Sequence, residues 1–183
     1  MKRFLNISLA LVLFGGFTMT SCKSKDTKAP TGETEVIVPC SGPDFFSNDE
    51  FFRANAVGES LDQAVSKKKA MSNARADLAS AISTTIKGTI DNYVNSREFN
   101  NREEVEERFE GLTREVINQE LAGVKTICEK MYTTSDDKYK TYIAIELSGS
   151  ELLSKMNERL SKDERLRIDY DYEKFKEEFE KEM

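Results

Sequence analysis

Met19-Thr20-Ser21-Cys22 sets a cysteine behind two small residues and a medium-sized apolar one. That order is the lipobox of bacterial lipoproteins. The processing peptidase needs small side chains beside the bond it cuts, and the cysteine sulfur accepts a diacylglycerol. The residues before it agree. Lys2 and Arg3 make a short positive start, and residues 4–17 are apolar apart from Asn6, Ser8, Gly15 and Gly16. The run falls short of the roughly 20 residues of a membrane span and matches the apolar stretch of a signal peptide. Residues 1–21 are therefore expected to be a lipoprotein signal peptide. Cys22 is then the acylated first residue of a mature chain held on a membrane outside the cytoplasm. The bland alternative is a secretory signal that happens to end beside a cysteine.

Histidine is absent. That removes Ser-His-Asp and Cys-His catalysis, His-ligated zinc and a histidine pH switch. The remaining cysteines, Cys40 and Cys128, are an even pair in an oxidising compartment and read first as a disulfide, with buried free thiols as the alternative. Ser66-Lys67-Lys68-Lys69 has the Ser-x-x-Lys spacing of penicillin-binding enzymes. That chemistry also needs a Lys-Thr-Gly strand, and here Lys125-Thr126 is followed by Ile127, so a solvated helix face is the better reading. Asp136-Asp137 reads as a turn rather than a calcium loop, because Lys138 follows and no glycine-spaced acidic ladder exists. Glu103, Glu104, Glu106 and Glu107 crowd one helix as a solvated face. Arg75 is either partly buried against a carboxylate or on the surface with its stem packed. No catalytic residue, metal site or cofactor is expected.

The elements that would hold these side chains can be read from spacing. Residues 23–35 lack core formers, which makes 22–35 a flexible tether. Val36-Ile37-Val38 would open the ordered part, and Ser41-Gly42-Pro43-Asp44 would turn it. Residues 51–57 are strand-like, with Gly58 as the stop. Ser60 is placed to cap a long helix in which Leu61, Ala64, Val65, Met71, Leu78, Ile82, Ile86, Ile90, Tyr93 and Val94 recur at helical spacing. Ala70, Ala74, Ala79 and Ala81 would let that helix lie close to a sheet, and Gly88 is a point where it would bend. Arg102-Glu103-Glu104 opens a second helix, acidic where the helix dipole favours acids. Its stripe is Val105, Phe109, Leu112, Val116 and Leu121. Residues 124–133 and 139–147 form a hairpin around Ser135-Asp136-Asp137-Lys138. In its second strand Tyr139, Thr141, Ile143, Ile145 and Leu147 share one apolar face. A helix comes after Ser148-Gly149-Ser150.

The charged stretch 161–183 reads as a helical tail outside the 36–160 domain. It carries Tyr172, Phe175, Phe179 and Met183 on one face. That stripe is expected to dock on its own domain, against the long first helix or the sheet; the sharper alternative is a partner-binding segment. The whole reads as an α+β fold: a small antiparallel sheet of about three strands, covered by a long Ala-rich helix and further helices.

The chain has 183 residues, 33% of them charged, with a net charge of −6. Loss of a basic signal peptide makes it more acidic still. Nucleic acid is a poor partner for such a chain, since phosphate contacts dominate that affinity. The expected partners are the membrane, through the N-terminal lipid, and an envelope protein or a second copy of the chain. Lys23-Ser24-Lys25 follows the lipidated cysteine, which leans toward a periplasm-facing place on the outer membrane.

Residues 51–60, Phe-Phe-Arg-Ala-Asn-Ala-Val-Gly-Glu-Ser, precede a helix containing Ala74-Arg75-Ala76-Asp77-Leu78-Ala79. This arrangement resembles the outer-membrane lipoprotein family named after the twenty-kilodalton lipoprotein of Helicobacter. The hairpin at 125–147 also fits, so the resemblance covers roughly residues 45–150 and leaves the charged tail outside. It implies a lipidated envelope domain similar to the N-terminal domain of a flagellar-motor accessory protein. It implies no activity and no catalytic residues. The expected role is that of a structural or assembly accessory acting by binding. The alternative is a small hydrolase of envelope polymers using carboxylates or serine.

Overall fold

The computed structural model describes residues 32–97, 101–166 and 170–183. Cys22, the signal peptide and most of the tether lie outside them. Ile37–Met183 form one compact unit, and the C-terminal stretch belongs to it rather than standing outside as a tail.

The strands β1 (Phe51–Ser60), β2 (Lys125–Thr133) and β3 (Tyr139–Ser148) form an antiparallel sheet in the order β1-β3-β2. Four helices complete the α+β fold: α1 (Gln63–Asn95), α2 (Arg102–Glu120), α3 (Gly149–Leu160) and α4 (Tyr172–Glu182). Val36-Ile37-Val38 starts no strand. Val36 and Ile37 are largely exposed, because among the described residues no strand edge or core face takes them up.

Helix α1 decides the packing. Its buried row runs Ser66, Ala70, Ala74, Leu78, Ile82, Ile86, Ile90, Val94, four residues apart throughout. Each four-residue step overshoots a full turn by about 40°, so the buried face rotates along the helix. Its amino end meets β1 and β3 at Ser66 and Ala70, and its carboxyl half meets α2 and α4 through Ile86, Ile90, Asn92 and Tyr93. Side-chain size changes with it. The row starts small and ends large, and across the sheet Phe52, Ala54, Ala56 and Gly58 shrink toward the same end, paired with Leu147, Ile145, Ile143 and Thr141. Helix and sheet therefore meet most closely at Gly58 and diverge toward Phe52. Phe179 of α4 enters the wedge and meets Phe52 edge-on, with ring centroids 6.3 Å apart.

Two local expectations need correction. Gly58 does not end β1; the strand runs through it to Ser60. The glycine is there for closeness, since a Cβ would sit 2.3 Å from the Ser66 carbonyl oxygen and 2.5 Å from the Ala70 nitrogen. Nor is Ser60 the cap. Asp62 is, accepting from the Val65 amide at 2.9 Å, which leaves Leu61 outside the helix and exposed.

Strand β3 is buried on both faces. Thr141, Ile143 and Ile145 face α1. On the other side Ala144 is fully buried and Glu146 nearly so. The cover there is the segment from Cys40 to Phe46, which is fixed to β2 through Cys128 and to β1 through Arg53.

Candidate functional site

Cys40 and Cys128 are joined in a disulfide, with Cα atoms 5.5 Å apart and sulfurs at 2.06 Å. Cys128 stands opposite Ala144 in the β2–β3 register, so the bridge lies over the outer face of β3. The chain turns beside it through Gly42 at φ 108°, a conformation glycine adopts without a Cβ clash. Beyond it Arg53 ties the segment down. Its Nη1 donates to the Phe46 carbonyl at 3.2 Å, and its Nε donates to Glu146 at 3.1 Å. Lys125 donates to the other Glu146 oxygen at 3.2 Å. Asp163 is the second buried carboxylate. Arg108 reaches it through Nε at 2.7 Å, and the Arg165 and Leu166 amides donate to its other oxygen. Burial pushes the Asp163 carboxyl up, but those donors outweigh it and hold the group below its ordinary value. Both carboxylates are anchors with their oxygens occupied.

The tail stripe divides. Phe175 and Phe179 lie inside the core, so neither is available to a partner; Tyr172 is half-buried at the start of α4. The reason is a cluster of rings that α4 completes. Phe175 stacks on Phe109 at 5.9 Å and meets Tyr93 edge-on at 5.5 Å. The Asp171 amide donates to the Tyr93 hydroxyl at 2.8 Å and fixes the start of the helix. Burial pushes the Tyr93 and Tyr170 phenols above their ordinary values, and the Tyr170 hydroxyl has no hydrogen-bond partner among the described residues.

The remaining candidates are structural. The Ser66 hydroxyl is fully buried and donates to the Gly58 carbonyl at 2.9 Å, while Lys69 reaches the Glu59 carbonyl. They are not a nucleophile and its base. Asp136 pairs with Lys138 at 2.7 Å in the hairpin loop, and that contact, with help from Thr134, lowers its carboxyl to about 2. Glu104 and Glu106 pair with Arg165 and Arg102 at the surface. The Arg75 Nε is buried without a hydrogen-bond partner among the described residues, so its stem packs and no described carboxylate meets that atom. Among the described residues no group of acids or cysteines is arranged to hold a metal.

Two of the hollows among the described residues bear on ligand binding. One, of about 490 Å³, lies between the start of β1, the start of α3 and α4, with Asp49, Glu50 and Glu180 around it. The other, of about 380 Å³, is a groove between α1 and α2. Ile86 and Ile90 from α1 and Thr113 and Ile117 from α2 are its buried floor, and Lys87, Glu110 and Arg114 stand on its rim. On α2 the lining residues Glu110, Thr113, Arg114, Ile117 and Asn118 share one helix face. On α1 the small side chains of Ala79 and Ser83 leave the space open. Spacing alone puts Leu112 in the α2 stripe, whereas the structure buries Thr113 and Ile117 more deeply. The sequence signal for the groove is a polar Thr113 between Phe109 and Ile117 on the buried face.

No family model matches the chain, and no curated protein or solved structure matches it either. Its function has to be read from its own residues.

Proposed function

We propose that this is a lipid-anchored protein of the bacterial cell envelope that acts by binding, as a structural or assembly accessory. The observation that carries the binding half is the state of the buried acids. Glu146 and Asp163 are both engaged by cations, whereas the groove between α1 and α2 keeps a buried hydroxyl, that of Thr113, with no partner among the described residues. A general acid or base needs a carboxylate that can exchange a proton with substrate; an ion-paired anchor is poorly placed for that. The lipobox at Cys22 and the polar tether after it support the anchor, and the likeness of residues 51–60 and 74–79 to the outer-membrane lipoprotein family supports an outer-membrane place, facing the periplasm.

Replacing Cys22 with Ser tests the anchor. The variant is expected to leave the membrane fraction and to lose a lipid-sized mass from its N-terminus. Unchanged fractionation and mass would refute it. The hydrolase reading has one observation in its favour, the three acids around the hollow beside α4. It predicts turnover of an envelope polymer that Glu50→Gln abolishes without a change in melting temperature.

A further inference from the structure

Thr113 is 6% exposed, and its Oγ1 is buried with no hydrogen-bond partner among the described residues. A buried hydroxyl without a partner is costly to a fold, and a polar ligand atom in the groove would satisfy it. Thr113 lies in the floor of the α1–α2 groove, beside Ile86, Ile90 and Ile117. Threonine in a helix splits between two χ1 rotamers, so one rotamer step is available to turn the hydroxyl toward a ligand. Above the floor stand Lys87 and Arg114, and among the described residues neither has a carboxylate within ion-pair distance. Glu110 is the single acid among the groove's lining residues, which leaves two cations against one anion. The stems of Lys87 and Arg114 add apolar wall beneath their charges.

We propose that this groove binds a single-chain anionic amphiphile, its hydrocarbon tail along the Ile86–Ile90–Ile117 floor and its anionic head between Lys87 and Arg114. The inference deepens the reading that the protein acts by binding, and it rests on that reading. Charge complementarity selects an anionic head over a cationic one. Size selects one chain over two, because about 380 Å³ is near the lower end of ligand sites, which run from about 300 to 1,000 Å³. The head is a carboxylate or a phosphate, and a free fatty acid and a lysophospholipid are the two sources of that chemistry.

The test is photolabelling of the full-length chain in membranes with a diazirine-bearing dodecanoate, with adducts mapped by mass spectrometry. Adducts are expected within 79–90 and 113–118, displaced by excess dodecanoate and not by dodecyltrimethylammonium. Lys87→Gln with Arg114→Gln should reduce labelling about fivefold, the combined effect of losing two exposed charge contacts. Ser83→Leu should fill the groove and remove labelling. Stronger displacement by lysophosphatidylglycerol than by dodecanoate would name the phosphate source, and the reverse the carboxylate. Adducts scattered over the chain, or equal displacement by the cationic amphiphile, would overturn the proposal. So would undiminished labelling of the Lys87/Arg114 variant, whose exposed substitutions leave the fold intact even if Ser83→Leu does not. Labelling is read in the groove itself, so its failure is distinguishable from a failure of the Cys22→Ser fractionation.

Discussion

The Ser66 hydroxyl donates to the Gly58 carbonyl oxygen at 2.9 Å, at the point where α1 lies closest to β1. Because that proton is committed, the 2.8 Å contact between Ser66 and Thr141 is a donation from Thr141. One side chain from the helix is thus bonded to two neighbouring strands. Gly58→Ala forces a methyl group against backbone atoms of Ser66 and Ala70 that cannot swing away. It is expected to destabilise the domain by about 2–3 kcal/mol, in the range of core overpacking. Ser66→Ala should cost about 1–2 kcal/mol, because it leaves the Gly58 carbonyl and the Thr141 hydroxyl without their partner. Urea denaturation of the two variants checks both values; a Gly58→Ala variant as stable as the parent would show that α1 can stand off the sheet.

Much of this fold was legible in the sequence. The long helix, the hairpin and the apolar face of β3 follow from periods of four and two, and these decide the α+β class. What periodicity misread has a common cause: the sites where elements touch. Gly58 carries the composition of a strand stop, yet its missing Cβ serves the approach of Ser66, eight residues later in α1. Asp62 rather than Ser60 caps α1, a difference of two residues that only the backbone path resolves. The polar-looking outer face of β3 hides Ala144 and Glu146, because its cover is the distant Cys40–Phe46 segment, which a disulfide ties to Cys128 of the neighbouring strand across a sequence separation of 88. Thr113 between Phe109 and Ile117 marks the α2 side of the α1–α2 groove, but its α1 side was not legible, since Ala79 and Ser83 look like any small residues of an Ala-rich helix until α2 is laid beside them.

The Cys40–Cys128 bridge closes a loop with a sequence separation of 88. In the chain-entropy account a loop of that length stabilises by about 4–5 kcal/mol. Reduction, or Cys40→Ser with Cys128→Ser, should lower the stability of the domain by roughly that amount. It should also speed hydrogen exchange at the edge strand β2, which the bridge braces. Thiol titration of the unfolded, unreduced domain should find neither Cys40 nor Cys128 free, and two reactive thiols there would contradict the bridge.

Helix α4 is polar enough to be soluble alone, yet a helix of 11 residues has little stability without packing. Its two buried rings supply that packing. Phe175→Ala should cost about 3–5 kcal/mol, as large aromatic deletions in cores do, and Phe179→Ala should behave alike. Lys174→Ala, on the exposed side of the same helix, should change stability by no more than about 0.5 kcal/mol. Deleting residues 168–183 should lower the melting temperature and expose Tyr93 and Phe109. A truncated domain that melts unchanged would detach α4 from the core and return its stripe to the service of a partner.

The Arg108–Asp163 pair gives the fold a pH dependence whose sign can be worked out. The Asp163 carboxyl is held below its ordinary value in the folded protein, by Arg108 and two backbone amides against the upward push of burial. The unfolded chain, with a carboxyl near 3.9, therefore takes up this proton at a higher pH than the folded one does. Stability from Asp163 is fully present above about pH 4–5 and is lost as the pH falls through the folded value. Asp163→Asn keeps the shape but removes the charge that Arg108 meets, and puts an amide NH₂ or a weaker acceptor before the Arg165 and Leu166 amides. It should cost about 1–3 kcal/mol at neutral pH. It should also flatten the acid limb of the stability profile below about pH 5, so that parent and variant converge as the parent's carboxyl is protonated. Equilibrium denaturation of both proteins across that interval decides the matter, and parallel profiles that never converge would mean the pair contributes through packing alone.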